Sequence, residues 1–114
     1  MLTKLRKHLL TVTENVIYGS FEYDNEQNIE PPFIVFQETS KRPITFAEDA
    51  PVFYESAIQI NLITNIKDVV LEKKLEKTFF DGGYTFSVLT EYKNDDGSIN
   101  RVYEIRLEDF NYGK

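Results

Sequence analysis

The chain has 114 residues, a length that suits one domain with a single core. Cysteine is absent, which excludes disulfide frameworks and thiolate zinc sites, and the formal net charge of −6 disfavours general binding to phosphate backbones or anionic membranes. With 41% hydrophobic and 14% aromatic residues, the chain can bury enough apolar surface to fold without a metal or a disulfide.

The first predicted element is an amphipathic helix. Its apolar residues recur at steps of three and four, and the stripe consists of Leu2, Leu5, Leu9, Val12 and Val16. Gly19 is placed to end this helix, because glycine adopts the left-handed conformation without a side-chain clash. The basic residues between positions 4 and 8 are therefore predicted to be solvated helix surface rather than a nucleic-acid patch.

Two strands are predicted on either side of a long polar loop. Pro31 and Pro32 hold the chain extended before the apolar run at residues 33–36, which indicates a short strand buried on both faces. Residues 37–51 are predicted to form a loop. Apolar and polar residues alternate over residues 52–64, which predicts a strand with one core face and one polar face.

A second helix and a terminal hairpin complete the predicted domain. The helix spans residues 67–80 with a buried stripe of Leu71, Leu75 and Phe79, and Asn65 is the predicted N-cap. The glutamates and lysines at positions 72, 73, 76 and 77 are predicted to form its solvated face, and the glycines at 82 and 83 to end it. Alternation over residues 84–88 and 103–107, around turn-forming residues 94–97, predicts a β-hairpin.

The predicted order is therefore helix, strand, strand, helix, strand, strand. Two amphipathic helices and half-apolar strands are typical of an α+β fold. We expect a single two-layer domain over residues 1–114, with a mostly antiparallel sheet of about four strands and two helices on one face.

No set of residues suited to catalysis converges in the sequence. His8 is the single histidine, which leaves no serine triad and no second nitrogen ligand for a transition metal. Glu38, Asp49 and Glu55 could gather Mg²⁺ at a sheet edge, but Glu55 lacks the lysine two residues later that a common nuclease site requires. We expect a protein that is not an enzyme, without catalytic, cofactor-binding or metal-binding residues and without a cofactor.

The order of patterns along nearly the whole chain resembles a known family. It comprises the N-terminal amphipathic helix, the Pro-Pro-Phe-Ile-Val-Phe strand, a loop rich in Glu and Pro, the strand Ile-Gln-Ile-Asn-Leu-Ile-Thr at residues 58–64, and the helix over residues 67–80. In these features the chain resembles the tail-completion or tail-terminator proteins of long-tailed bacteriophages and prophages of the siphovirus type.

The resemblance implies a structural role in the virion. Members of this family are small α+β subunits that close into a ring, typically a homo-hexamer, on the last ring of the tail tube, where they stop its growth and join it to the head. The implied partners are other copies of the chain, the major tail protein and the head-tail connector protein, with no sequence-specific nucleic acid and no membrane. The implied location is the tail or neck of the virion, and the host cytoplasm during assembly.

The predicted loop is the candidate contact surface. About fifteen residues is longer than an ordinary strand connection, and loops of that length are usually functional or disordered. An aromatic anchor within a charged rim is typical of an interface, and the candidate subunit or partner contacts are Arg42, Ile44, Phe46, Glu48 and Asp49. The alternative is a flap folded over the protein's own core. The acidic excess could face the tube lumen and repel passing DNA.

Two other functions stay open from the sequence. A head-tail joining subunit of the neck shares the same general patterns. A small acidic DNA mimic that inhibits a host nucleic-acid-binding enzyme belongs to a different class, and it needs one continuous acidic strip. Lysine and arginine are interleaved with the acidic residues along this chain, which disfavours such a strip.

Overall fold

A computed structural model of the chain describes residues 2–19, 30–47 and 50–110, with the side chains at 44–47, 50–53 and 109–110 outside that description. Two helices and five strands follow one another in this part of the chain: α1 (Leu2–Leu9), β1 (Val16–Tyr18), β2 (Phe33–Ala47), β3 (Ala50–Thr64), α2 (Val69–Asp81), β4 (Thr85–Lys93) and β5 (Ile99–Phe110). The predicted α+β class is confirmed.

The sheet is mixed, with the strand order β1-β2-β3-β5-β4. Three of its four strand pairs are antiparallel, and only β1 pairs parallel to its neighbour, matching Val16 with Ile34 and Tyr18 with Phe36. The predicted count of about four strands is therefore one short. The additional strand is β1, which lies where the sequence predicts the end of the first helix.

The first helix is shorter than its apolar stripe predicts, because it ends at Leu9. The three residues Thr11, Val12 and Thr13 are β-branched and stiff at χ1, which lowers helix propensity. The Thr11 hydroxyl also donates to the carbonyl of His8 at 2.6 Å, and the backbone closes with a Val12 N–H bond to Leu9 O at 2.9 Å. Val12 and Val16 are still buried in the core, but from a turn and a strand.

The prediction of a loop over residues 37–51 is wrong for residues 37–47 and 50–51, which lie in strands, and residues 48 and 49 are outside the described part of the chain. β2 and β3 pair continuously from Phe33 with Ile63 to Ala47 with Ala50, as a hairpin with two fifteen-residue strands. Fifteen extended residues span about 50 Å, which matches the longest principal extent of 52 Å. The pairing of β2 with β3 shifts register between Glu38 and Ser40 and again after Pro43. Because of these shifts, the sequence of β2 does not show a regular two-residue period.

Both helices pack on one face of the sheet, as predicted. Leu5 and Leu9 of α1 and Leu75 and Phe79 of α2 are fully buried there. The sheet contributes alternate residues to this core, from β2 (Ile34, Phe36), β3 (Ile58, Ile60, Leu62) and β5 (Tyr103, Ile105, Leu107). The rings of Phe79, Phe86 and Tyr103 lie 5.5 to 5.9 Å apart, a spacing that favours edge-to-face contact.

A smaller apolar cluster lies on the opposite face of the sheet. It consists of Phe33, Val35 and Ile63, with Ile17 partly buried against it. All four residues of the run 33–36 are buried. The prediction of a strand buried on both faces is therefore confirmed for this run.

Local sequence determines where α2 begins and ends. Asp68, not the predicted Asn65, is the N-cap, and its carboxylate accepts a bond from the Leu71 N–H at 3.0 Å. At the other end the chain leaves the helix through Gly82 and Gly83, and the second of these has a φ of 77°.

The predicted terminal hairpin is confirmed as β4 paired with β5. Its turn is closed by the Asn94 N–H bond to Ser98 O at 2.8 Å, and Asp96 accepts the Ser98 N–H at 2.9 Å.

Candidate functional site

The distal part of the β2–β3 hairpin is the candidate contact surface. We call this part the arm: residues 37–47 of β2 and the facing residues 50–59 of β3. β1 pairs with β2 only as far as Phe36, where the Gly19 N–H donates to the Phe36 carbonyl at 3.1 Å. Among the described residues, no strand pairs with the outer edge of β2 beyond that point.

A row of alternating charges crosses the arm on the face away from the helices. Arg42 donates to Glu55 at 3.2 Å, Arg106 donates to the same carboxylate oxygen at 2.9 Å, and Arg106 also pairs with Glu104 at 3.2 Å. We call these four residues the charge ladder. The hydrogen bonds from Arg42 and then Arg106 lower the pKa of Glu55 below its ordinary value. The ladder therefore presents two guanidinium groups held by one ionised glutamate.

The five predicted contact residues have different outcomes. Arg42 lies on the arm with an exposed side chain and belongs to the charge ladder. Ile44 and Phe46 lie in β2, but their side chains are outside the described part of the structure, and Glu48 and Asp49 lie outside the described residues altogether. The alternative of a flap over the core is wrong, because residues 37–47 continue the sheet.

A second group of charged residues joins α2 to β4 and β5. We call it the ion-pair cluster, and its members are Lys67, Glu72, Glu76, Glu91, Arg101 and Tyr103. Lys67 lies 2.9 Å from Glu72 and 2.7 Å from Glu91. Arg101 reaches Glu91 at 3.1 Å and Glu76 at 3.3 Å, while its Nε donates to the Tyr103 hydroxyl at 2.8 Å.

The contacts within the cluster shift the pKa values of Glu91, Lys67 and Tyr103. Hydrogen bonds from Lys67 and then Arg101 lower the pKa of Glu91, and Glu72 and Glu91 raise the pKa of Lys67. Burial and the bond that its hydroxyl donates to Glu76 raise the pKa of Tyr103 above its ordinary value. These shifts favour an ionised Glu91, a charged Lys67 and a neutral Tyr103 at neutral pH. These contacts join the helix α2 to the strands β4 and β5, and so they stabilise the packing of the helix layer on the sheet.

Sequence reasoning missed this cluster. The prediction that positions 72 and 76 belong to a solvated helix face is wrong for Glu72, which is only 5% exposed. The signal was present, because Glu72 precedes the buried Leu75 and Phe79 by three and seven residues and so lies on their stripe. A charged residue on an apolar stripe indicates a buried ion pair across the layers.

The other residues considered for chemistry lie apart. His8 is half-buried rather than fully at the surface, and its Nδ1 lies 3.1 Å from the Tyr84 hydroxyl. Glu38 pairs with Ile58, three residues along β3 from Glu55, so the two carboxylates lie on opposite faces of the sheet. Within the described ranges, no group of three or more histidine or acidic side chains is placed to hold a metal ion.

Three exposed large apolar side chains lie along the other edge of the sheet, and three more, Ile66, Val69 and Val70, lie near the start of α2. β4 forms this edge, and Val88, Leu89 and Tyr92 on it are 42%, 51% and 46% exposed. Phe80 at the end of α2 is also highly exposed. A large exposed apolar residue is common singly, but several along one strand are typical of a contact surface.

A scan against protein-family models and a search of curated proteins each return no match to this sequence. Over the residues that the structure describes, no helix has both the length and the apolar character needed to cross a membrane.

Proposed function

We propose that this chain is a virion structural protein that closes as a homo-hexameric ring on the end of a phage tail tube. The observation that carries the proposal is the arm, in which eleven residues of β2 extend for about 36 Å from a core of two helices and one sheet, in a molecule whose longest extent is 52 Å. The resemblance of the sequence pattern to tail terminators supplies the identity of the assembly. In this proposal the major tail protein lies on one side of the ring and the head-tail connector on the other.

A ring needs a subunit with two different and complementary sides. A head-to-tail contact whose rotation closes produces a cyclic oligomer, and identical contacts then repeat around it. The two edges of this sheet differ. One edge is the arm, which carries the exposed Arg42, and the other edge is β4, which carries exposed apolar residues. The proposed function uses the arm as the part of each subunit that contacts its neighbour.

The arm also has the composition of an interface rim. Lys41, Arg42 and Pro43 are exposed, and the Lys41 ammonium lies 5.1 Å from the Tyr54 ring centroid. Charged residues at a rim direct association and orientation more than they add affinity. The charged residues of the arm therefore favour one orientation of the contact.

The test is the mass and the shape of the protein in solution and on tail tubes. Light scattering over a concentration series should show a species of six times the 13.4 kDa chain mass, and negative-stain microscopy should show rings. Rings should also be found at the ends of tail tubes purified from the phage that encodes the chain.

A pair of variants makes this test specific to the arm. Arg42→Ala should reduce ring formation, while Lys73→Ala, which removes an exposed cation from α2, should leave it unchanged. A protein that is monomeric at every concentration and does not bind tube ends would refute the proposal. Binding of the ring to the head connector but not to tubes would instead indicate the neck subunit, and capture of a host nuclease by the monomer would indicate the DNA mimic.

A further inference from the structure

The strand β4 is an open edge with few of the features that prevent strand addition. Natural edge strands are usually short, charged, interrupted by proline or covered, because their unpaired N–H and C=O groups bind other strands. β4 has nine residues and no proline, and it carries no charge from Thr85 to Thr90. Its one irregularity is the register shift at Leu89. No strand of the described chain pairs with its outer side.

The outer edge of the arm is the second open edge of the same sheet. It comprises residues 37–47 of β2, eleven residues against the nine of β4. This edge is better protected, because Lys41, Arg42 and Pro43 interrupt it and the register shifts bend it. The part of this edge nearest β1, residues 37–40, lacks proline and cations and includes the first register shift.

The directions of the two edges are compatible. β2 is antiparallel to β3, β3 to β5 and β5 to β4, so β4 runs antiparallel to β2. When two copies are placed edge to edge with the same face toward the helices, and shifted along the strands so that β4 clears β1, β4 of one copy meets the arm edge of β2 of the next as an antiparallel neighbour. The sheet then continues from one subunit into the next with the hydrogen-bond pattern of antiparallel strands.

We infer that β4 of one copy adds to the outer edge of the arm of the next copy, so that the sheet is continuous between subunits. This inference rests on the self-association in the proposed function and names its contact. Pairing of β4 with another β4 would cover one open edge and leave the arm edge unpaired, whereas the head-to-tail contact covers both. Val88, Leu89 and Tyr92 supply the apolar contacts beside the backbone pairing, and the charged residues of the arm form the rim.

Cysteine cross-linking tests the contact directly, because the natural chain has no cysteine. Ser87 of β4 and Ser40 of the arm are both exposed, and their partners Glu104 and Ala57 place them on the same face of the sheet. A mixture of the single variants Ser87→Cys and Ser40→Cys should give a disulfide-linked dimer. A short bismaleimide and the variant Gln37→Cys extend the test to a neighbouring register.

The controls separate this contact from others. Ser87→Cys mixed with Thr3→Cys, an exposed position on α1, should give at least about tenfold less dimer, a difference of 1.4 kcal/mol in contact free energy. Leu89→Lys should abolish the cross-link between positions 40 and 87, while Val70→Lys on α2 should not. A disulfide dimer from Ser87→Cys alone, or equal yields with the Thr3→Cys control, would overturn the inference.

Cross-linking and microscopy together separate a failure of the β4 contact from a failure of the proposed ring. Rings seen by microscopy without the cross-link would leave the proposed function intact and refute the β4 contact. Cross-linked dimers or open filaments without rings would support the β4 contact and refute the ring.

Discussion

Replacing Arg101 by methionine tests whether the ion-pair cluster holds α2 to the sheet. Methionine keeps most of the apolar stem of arginine and removes the guanidinium. Three hydrogen bonds are lost, to Glu91 at 3.1 Å, to Glu76 at 3.3 Å and to the Tyr103 hydroxyl at 2.8 Å, together with the ion pair to Glu72 at 3.6 Å. Glu72 stays buried with Lys67 as its remaining cationic partner.

The magnitude follows from the burial of these groups. A hydrogen bond to a charged group contributes about 1.5–3 kcal/mol, and removing one partner of a fully buried ion pair costs about 3–5 kcal/mol. Arg101 is 20% exposed, so water replaces part of what is lost. We expect Arg101→Met to lower the free energy of unfolding by about 3 kcal/mol.

Urea denaturation is the assay, with Lys77→Met as the matched control. Lys77 forms an exposed ion pair with Asp81 at 2.7 Å on the same helix, and such pairs contribute about 0.3–0.5 kcal/mol. With an m-value of about 1.5 kcal/mol/M, the midpoint should fall by about 2 M for Arg101→Met and by about 0.3 M for the control. Equal midpoints for the two variants would refute the bracing role.

The same pair of proteins should differ in pH dependence. Lys67 and Arg101 hold the pKa of Glu91 below its ordinary 4.5. The unfolded state therefore binds more protons than the folded state in acid, so this stabilisation is complete above pH 4.5 and is lost as the pH falls through the lower folded value. The gap between wild type and Arg101→Met should narrow below pH 4.5. A gap that is constant from pH 7 to pH 3 would contradict the assignment.

Two further substitutions test the ends of α2. Asp68→Ala removes the N-cap bond and should cost about 1 kcal/mol in urea denaturation, whereas Asp68→Asn should be near neutral; equal losses for both would contradict the cap. Gly82→Ala places a methyl group 2.7 Å from the Tyr84 ring and should cost about 1–3 kcal/mol by overpacking. That loss should shrink when Tyr84 is replaced by leucine, and an undiminished loss would indicate backbone strain instead.

Elements with one regular period could be predicted from the sequence. The alternation of Ile58, Ile60 and Leu62 and the stripe of Leu75 and Phe79 identified a core strand and a core helix, because each pattern fits one period only. Val16 was misplaced for the opposite reason. Its spacing from Leu9 fits a helix, yet a turn and a short strand bury it equally well.

The candidate site was harder to predict because its geometry depends on long-range pairing. The register shifts around Thr39 and Ile44 interrupt the alternation of apolar and polar residues in β2. Without that two-residue period, the sequence of the arm is typical of a loop. Arg42 was predicted as a contact residue and is exposed, but its ion pair with Glu55 could not be predicted, because that contact depends on the register of two strands. Arg101 and Glu72 are similarly joined only by the packing of α2 on the sheet.

The position of β3 has a consequence for how variants of this protein would behave in a cell. β3 is paired on both sides and contributes to the helix-covered core through Ile58, Ile60 and Leu62, while β4 and the arm edge of β2 are each paired on one side only among the described strands. Loss of core contacts lowers the global stability, and degradation follows the population of unfolded molecules. Substitutions in β3 should therefore lower the steady-state abundance of the protein. Substitutions on the two outer edges should leave its abundance normal and, under the proposed function, yield tails that fail to join heads, so a genetic screen that scores both traits would map the two roles onto different strands.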